Sequence, residues 1–355
     1  MKKITKIATV IGARPQFIKA SPVSSLIRES GIFQEILIHT GQHFDKNMSK
    51  VFFKEMNIPI PVYNLGINQL GYAEMIEKMT EKIRKILIKD KISGVLVYGD
   101  TNSTMAGSLA ASMCDLPLFH IEAGLRSFNR KMPEENNRII SDHLSSLLFC
   151  PTLVAVENLR KEGISRNLYL TGDVMFDAYK KFSIKKASIF EKSISRSKYI
   201  LSTIHRRENI NSEEKLVKIF SNLDLICDQI NIVMPLHPHT KKLINNYKIN
   251  TKVTFTDPAG YVKMLSLLNN CEMIISDSGG LQKESYFAKK KCIVVRPQTE
   301  WKELIDIGTN ILCEPENIFK KYQEFLNKKC NFSKNLYGDG NASSIIVNSI
   351  NSFFS

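Results

Sequence analysis

Short apolar runs alternate with longer stretches in which apolar positions recur every three or four residues, and this alternation continues through the chain. Ile7 to Ile11 reads as a buried strand, Gly12-Ala-Arg14-Pro15 as its loop and Phe17 to Glu29 as a helix. Glu35 to His39 is a second strand, followed by the loop Gly41-Gln-His43-Phe. After Pro59-Ile-Pro61 come a long helix around Tyr72 to Lys89 and the strand Gly94 to Tyr98. Gly99-Asp100-Thr-Asn-Ser-Thr104 then opens another helix. Strand, polar loop and helix, repeated, predict a parallel sheet with helices on both faces.

Val154 to Arg160 and Leu168 to Gly172 close the first half, and Asp173 to Ser197 has the charged, serine-containing composition of a connecting segment. The pattern then restarts. Tyr199 to Ile204 is a strand ending in His205-Arg-Arg-Glu208, Glu213 to Asp228 a helix, and Asn231 to Leu236 a strand ending in His237-Pro-His239. Met273 to Ser276 ends in Asp277-Ser-Gly-Gly280 before another helix. The expected fold is α/β: two doubly wound Rossmann-like domains facing each other across a cleft.

A length of 355 residues agrees with two domains. The opening Met1-Lys-Lys-Ile-Thr-Lys resembles a secretion signal in charge, but the apolar run after it is short and leads into Gly12-Ala-Arg-Pro15 without a small-residue cleavage site. It is expected to be a buried strand. No apolar stretch reaches the ~20 residues of a membrane span. Seven widely spaced cysteines without a Cys-x-x-Cys pair point to reduced thiols and a cytoplasmic protein. The net charge of +14 is spread along a chain that is also rich in Ile and Asn. With no aromatic-basic platform, nucleic acid is not expected as a partner.

Candidate chemistry concentrates in Leu118-Phe-His-Ile-Glu-Ala-Gly-Leu-Arg126 and Met132-Pro-Glu-Glu-Asn-Asn-Arg138, a strand end, a polar loop and a helix entered at Pro133. Glu122, Arg126, Glu134 and Arg138 are close in sequence, and Glu134 and Arg138 are four apart on one helix face. They form either acid/base machinery or a structural ion-pair cluster. Asp277-Ser278-Gly279-Gly280 has the form of a phosphate cradle: glycines admit close approach, and free N–H groups at a helix start face an anion. His205-Arg-Arg and Arg14 add cations, which together describe a diphosphate site. The first loop lacks the second and third glycines of a dinucleotide fingerprint, and neither His39-x-x-x-His43 nor His237-Pro-His239 makes a convincing metal site. No Gly-x-Ser-x-Gly elbow is present. The expectation is therefore no cofactor and no metal.

Gly12-Ala-Arg-Pro15, Thr40-Gly-Gln-His43, Gly99-Asp-Thr101, His120-Ile-Glu-Ala-Gly-Leu-Arg126, Pro133-Glu-Glu-x-Asn-Arg138, His205-Arg-Arg-Glu208, Asp277-Ser-Gly-Gly-x-Gln282-x-Glu284 and Tyr337-Gly-Asp-Gly340 occur in that order. Jointly they resemble the non-hydrolysing UDP-N-acetylglucosamine 2-epimerases, over nearly the whole chain. The resemblance implies the glycosyltransferase B arrangement, with an amino-terminal domain of residues 1–172 joined by a returning helix in 343–355, and a UDP-binding domain of 173–342. It also implies a homodimer. Position by position, it places Asp100, Glu122 and Glu134 as catalytic carboxylates, Arg138 as their support and His205 as the histidine beside the diphosphate. Arg14, Ser278, Gly279 and Gly280 would hold phosphates, and Glu284 the ribose hydroxyls.

The implied chemistry agrees with the residues. C2 of an N-acetylhexosamine has no adjacent carbonyl, so without a redox cofactor its inversion requires expulsion of UDP from C1 to give a glycal, then re-addition. That needs acid/base groups on both sugar faces and cations for the departed diphosphate. The expected reaction is the interconversion of UDP-N-acetylglucosamine and UDP-N-acetylmannosamine for surface polysaccharide synthesis. Gln16, where the best-known members have Glu, and Gln298-Thr-Glu300-Trp301 after Arg296 resemble the branch acting on UDP-2,3-diacetamido-2,3-dideoxyglucuronate. A uronate would need another cation, from Arg130, Lys131 or Lys302. A glycosyltransferase B-type UDP-sugar transferase would share the cradle and Glu284, but would not need Asp100, Glu122 and Glu134 together.

Overall fold

The computed structural model describes residues 4–42, 53, 55–183 and 198–355; His43 and the stretch 184–197 of the expected connecting segment lie outside them. The chain divides into two units, one of Met1–Lys181 with Asn335–Ser355 and one of Phe182–Lys334.

The first unit holds seven strands: β1 (Thr5–Ile11), β2 (Phe33–His39), β3 (Tyr63–Asn64), β4 (Gly94–Tyr98), β5 (Leu118–Ile121), β6 (Leu147–Cys150) and β7 (Leu168–Leu170). They lie in the order β3-β2-β1-β4-β5-β6-β7, and every pairing is parallel. β4, β5 and β6 are buried along their whole length, which is why they read as unbroken apolar runs. On one face, the helices Tyr72–Lys89 and Asn102–Ser112 join the sheet in a core that includes Val10, Ile38, Met79, Ile83, Val97 and Ala110.

The second unit repeats the plan with β8 (Tyr199–Thr203), β9 (Asn231–Pro235), β10 (Thr254–Thr256), β11 (Met273–Ser276), β12 (Lys291–Val294) and β13 (Asn310–Leu312), ordered β10-β9-β8-β11-β12-β13 and again wholly parallel. Both are doubly wound sheets of the expected Rossmann-like class. In each, strand order reverses beside the first strand, β1 next to β4 and β8 next to β11. The carboxyl ends there are where such sheets bind ligands.

The division of the chain differs from the expected boundaries. Residues 173–181 and 335–342 belong to the first unit, because the helix Val174–Phe182 is tied to the chain's last segment. Asp173 N–H donates to the Tyr337 carbonyl at 2.9 Å. The Asp177 carboxylate accepts from the N–H groups of Ala342 and Ser343, at 3.2 and 2.7 Å, and so caps the final helix Ala342–Phe354. That helix sets Phe353 and Phe354 edge-on against Phe119 of β5, at 5.4 and 5.8 Å between ring centres. All seven cysteines are free thiols. No described helix is long and apolar enough to cross a membrane.

Candidate active site

At the first unit's switch point, Gly12 follows β1 where an added Cβ would lie 1.9 Å from the Thr40 hydroxyl oxygen, so no larger residue fits. Gln16, in the helix Arg14–Ser30, organises this loop. Its amide oxygen accepts from the N–H groups of Gly12 and Ala13, at 2.8 and 3.0 Å. Its amide nitrogen donates to the Tyr98 carbonyl and the Thr104 hydroxyl, both at 3.0 Å. A Glu here could accept but not donate, so it could not reproduce the link to β4. Arg14, the first residue of that helix, is half-buried.

β4 runs into Gly99 at φ +63° and β5 into Glu122 at φ +69°, a left-handed conformation that costs a non-glycine residue about 1 kcal/mol or more. Glu122 is held there by its N–H bond to the Phe149 carbonyl at 3.1 Å and by an ion pair with Lys19. Both side chains are nearly buried, at 6% and 9% exposure, which excludes a solvated surface pair. Lys19 comes from the first helix and was not singled out from the sequence. Its position in the Arg14 helix, one turn past Gln16, is the only signal that could have found it.

Asp100 is paired with Arg138, whose other guanidinium nitrogen donates to Glu135 at 2.6 Å. The expected i,i+4 partner Glu134 is exposed, and Arg138 turns instead to the i,i+3 residue, because Glu135 points inward. Glu135 also accepts from the N–H and hydroxyl of Ser127 and the N–H of Phe128, each at 2.9 Å. Burial pushes its carboxyl up, but Ser127 and Arg138 hold it below the usual range. Asn137 donates to the Asp100 carbonyl at 2.9 Å and accepts from the Tyr72 hydroxyl at 2.7 Å. Burial, and then the Glu134 charge, push the Tyr72 phenol up. Arg126 takes no part in this cluster. It pairs with Asp142 and, bidentately, with Glu162.

In the second unit, Asp277 follows β11 and is fully buried. Its carboxylate accepts from the backbone N–H groups of His205 and Arg206, at 3.1 and 2.9 Å, and from the Asn209 amide at 3.0 Å. It thereby fixes the His205-Arg206 turn beside the cradle. The His205 imidazole stays 43% exposed, 3.6 Å from Asp277. Ser278 caps the helix Gly279–Phe287, and Gly279 and Gly280 are its first residues. A Cβ on Gly279 would come within 2.8 Å of the Glu300 carboxylate, which pairs with Arg296 at 3.1 Å. Burial first, then the nearby Arg206, lower Arg296 against the raising effect of Glu300. Glu284 is buried on the same helix, and Lys283 lies 4.1 Å over the Trp301 ring.

Two doubly wound units, with ion-paired carboxylates at one switch point and a helix start flanked by cations at the other, have the form of an α/β enzyme acting on a phosphate-bearing substrate. The chain belongs to the UDP-N-acetylglucosamine 2-epimerase family, whose model matches residues 25–351, and it is an isomerase of that family. It is 46% identical to the UDP-2,3-diacetamido-2,3-dideoxy-D-glucuronate 2-epimerase of Pseudomonas aeruginosa, covering 96% of this chain and 98% of that one. It is 42% identical to a UDP-N-acetylglucosamine 2-epimerase of Methanococcus maripaludis, covering 97% of each. The solved UDP-GlcNAc 2-epimerase of Methanocaldococcus jannaschii, in complex with UDP-GlcNAc and UDP, is similar with a TM-score of 0.90 and 37% identity, over 98% of this chain and 100% of that one.

Proposed function

We propose that the protein interconverts UDP-N-acetylglucosamine and UDP-N-acetylmannosamine by anti elimination and re-addition of UDP, without metal or redox cofactor, as a cytoplasmic homodimer serving surface polysaccharide synthesis. The observation that carries the reading is the pair of charge-matched carboxylates on adjacent strand ends, Glu122 with Lys19 and Asp100 with Arg138. A carboxylate removes the C2 proton while the C1–O bond breaks, its electron pair leaving with UDP, and a C1=C2 double bond forms. UDP oxygen then re-attacks C1 while C2 takes a proton on the opposite face. Oxidation state is unchanged overall. Glu122, Glu134 and Asp100 are the proposed acid/base groups. His205, Arg14 and the N–H groups at Ser278-Gly279-Gly280 hold the departed diphosphate, and Glu284 holds the ribose.

The 46% identity to the diacetamidoglucuronate epimerase favours a second reading, the same reaction on that uronate. Arg130 and Lys131, exposed before the helix Pro133–Leu144, are the available cations for its carboxylate. Proton NMR in D2O with EDTA, on each UDP-sugar, decides. Epimerisation with deuterium at C2 is expected. Loss of turnover on chelation that a divalent ion restores, or product without deuterium, overturns the mechanism. The sugar turned over faster identifies the substrate.

A further inference from the structure

We propose that His120 is a buried positioning residue for this reaction, an imidazole engaged at both ring nitrogens that ties the strand-end turns bearing Asp100 and Glu122 to the helix bearing Glu134 and Arg138. It rests on the epimerase reading above. His120 lies in β5 with no exposed surface. Its Nε2 is 2.7 Å from the Gly99 carbonyl oxygen, which can only accept, so Nε2 carries a proton. Its Nδ1 is 2.7 Å from Asp142 Oδ1. The other oxygen of Asp142 accepts from Arg126 at 2.7 Å and from the Gly124 N–H at 3.1 Å.

Burial pushes the Asp142 carboxyl up, but His120 and Arg126 hold it below the usual carboxylate range. Both ring nitrogens are therefore engaged inside the core, where an unmade hydrogen bond is costly. The charges facing the ring are Asp142, then Arg126, with Glu162 closing the set from the helix Leu153–Lys161. Arg126 thus pairs with both carboxylates, which helps make the burial of Asp142 tolerable. The Cys150 thiol of β6 also faces this set, and burial followed by the Asp142 charge pushes it up to about 12, so it stays neutral.

The placement gives the network its role. Gly99 precedes Asp100, and Gly124 N–H belongs to the turn that begins at Glu122. Asp142 lies on the helix Pro133–Leu144, one turn beyond Arg138. The ring and its Asp142 partner therefore hold two left-handed turns and a helix in fixed relation.

The decisive measurement is ¹⁵N NMR of the full-length wild-type protein at neutral pH, with His120→Gln used to assign the ring. The ring N–H facing the Gly99 carbonyl is expected to be slow to exchange with solvent. Rapid exchange overturns the proposal. His120→Gln keeps one donor and should lower kcat about 10–100-fold, as expected of misplaced reacting groups, while KM and the Kd for UDP change less than twofold. Unchanged kcat, or kcat and UDP affinity falling together with the melting temperature, overturns it. Should the variant not fold, backbone-linked assignment of the wild-type spectrum still identifies the ring and decides. A wild-type protein inactive on both UDP-sugars removes the reaction and the positioning role together. An active one whose His120 ring N–H exchanges rapidly removes only the role given to His120.

Discussion

Lys19→Met tests whether the buried pair serves the reaction or only the fold. With side chains 9% and 6% exposed, removing one partner leaves an uncompensated buried charge, which costs about 3–5 kcal/mol. In a unit of roughly 200 residues, each kcal/mol moves the melting temperature by about 2–4 °C, so Lys19→Met should melt ~6–20 °C lower. Glu122→Gln should destabilise for the same reason, by stranding the ammonium. The double variant carries neither charge and should recover most of that stability. Turnover should not recover. A general acid/base is worth about 10²–10⁴-fold, or ~3–5 kcal/mol of barrier, and an amide supplies none of it. Melting curves and proton NMR turnover on the wild type, both single variants and the double variant complete the cycle. If the double variant regains turnover together with stability, the pair is structural and Glu122 is not a proton-transfer group.

His205→Ala should lower turnover by several orders of magnitude with little change in melting temperature, since the imidazole is 43% exposed; a melting temperature that falls with activity would return it to a packing role. Glu134→Gln should lose turnover by about 10²–10⁴-fold and melt normally, whereas Glu135→Gln, which gives up the acceptor for Ser127, Phe128 and Arg138, should melt lower; the reverse pattern would exchange their roles. Glu35→Gln should raise the melting temperature at neutral pH. Burial, outweighing its bonds from Thr9 and Ser24, raises the Glu35 carboxyl above its unfolded value, so the stability it contributes is present below about pH 4.5 and is lost as pH rises through the folded value. A wild-type and variant difference that does not grow between pH 4 and pH 7 would refute this.

The strand, loop and helix order was legible in the sequence because burial is local. A parallel strand covered on both faces must be apolar throughout, as in Gly94–Tyr98 and Met273–Ser276, and the polar loops after such strands are where ligands bind. Hence the loops at Gly12, Gly99, Glu122, His205 and Asp277 could be located before their neighbours were known. Partnership was not legible, because crossovers bring together groups far apart in the chain. Lys19 reaches Glu122 across 103 positions, Gln16 reaches Tyr98 across 82, and Asp177 caps a helix 165 residues away. Arg138 shows the difference on a single helix: spacing put Glu134 on its face, and only the inward rotation that buries Glu135 and opens Arg138 to Asp100 made Glu135 its partner. The same holds for the last helix, which the family resemblance implied would return to the first unit, while the Asp177 cap and the aromatic face of β5 decided where it packs.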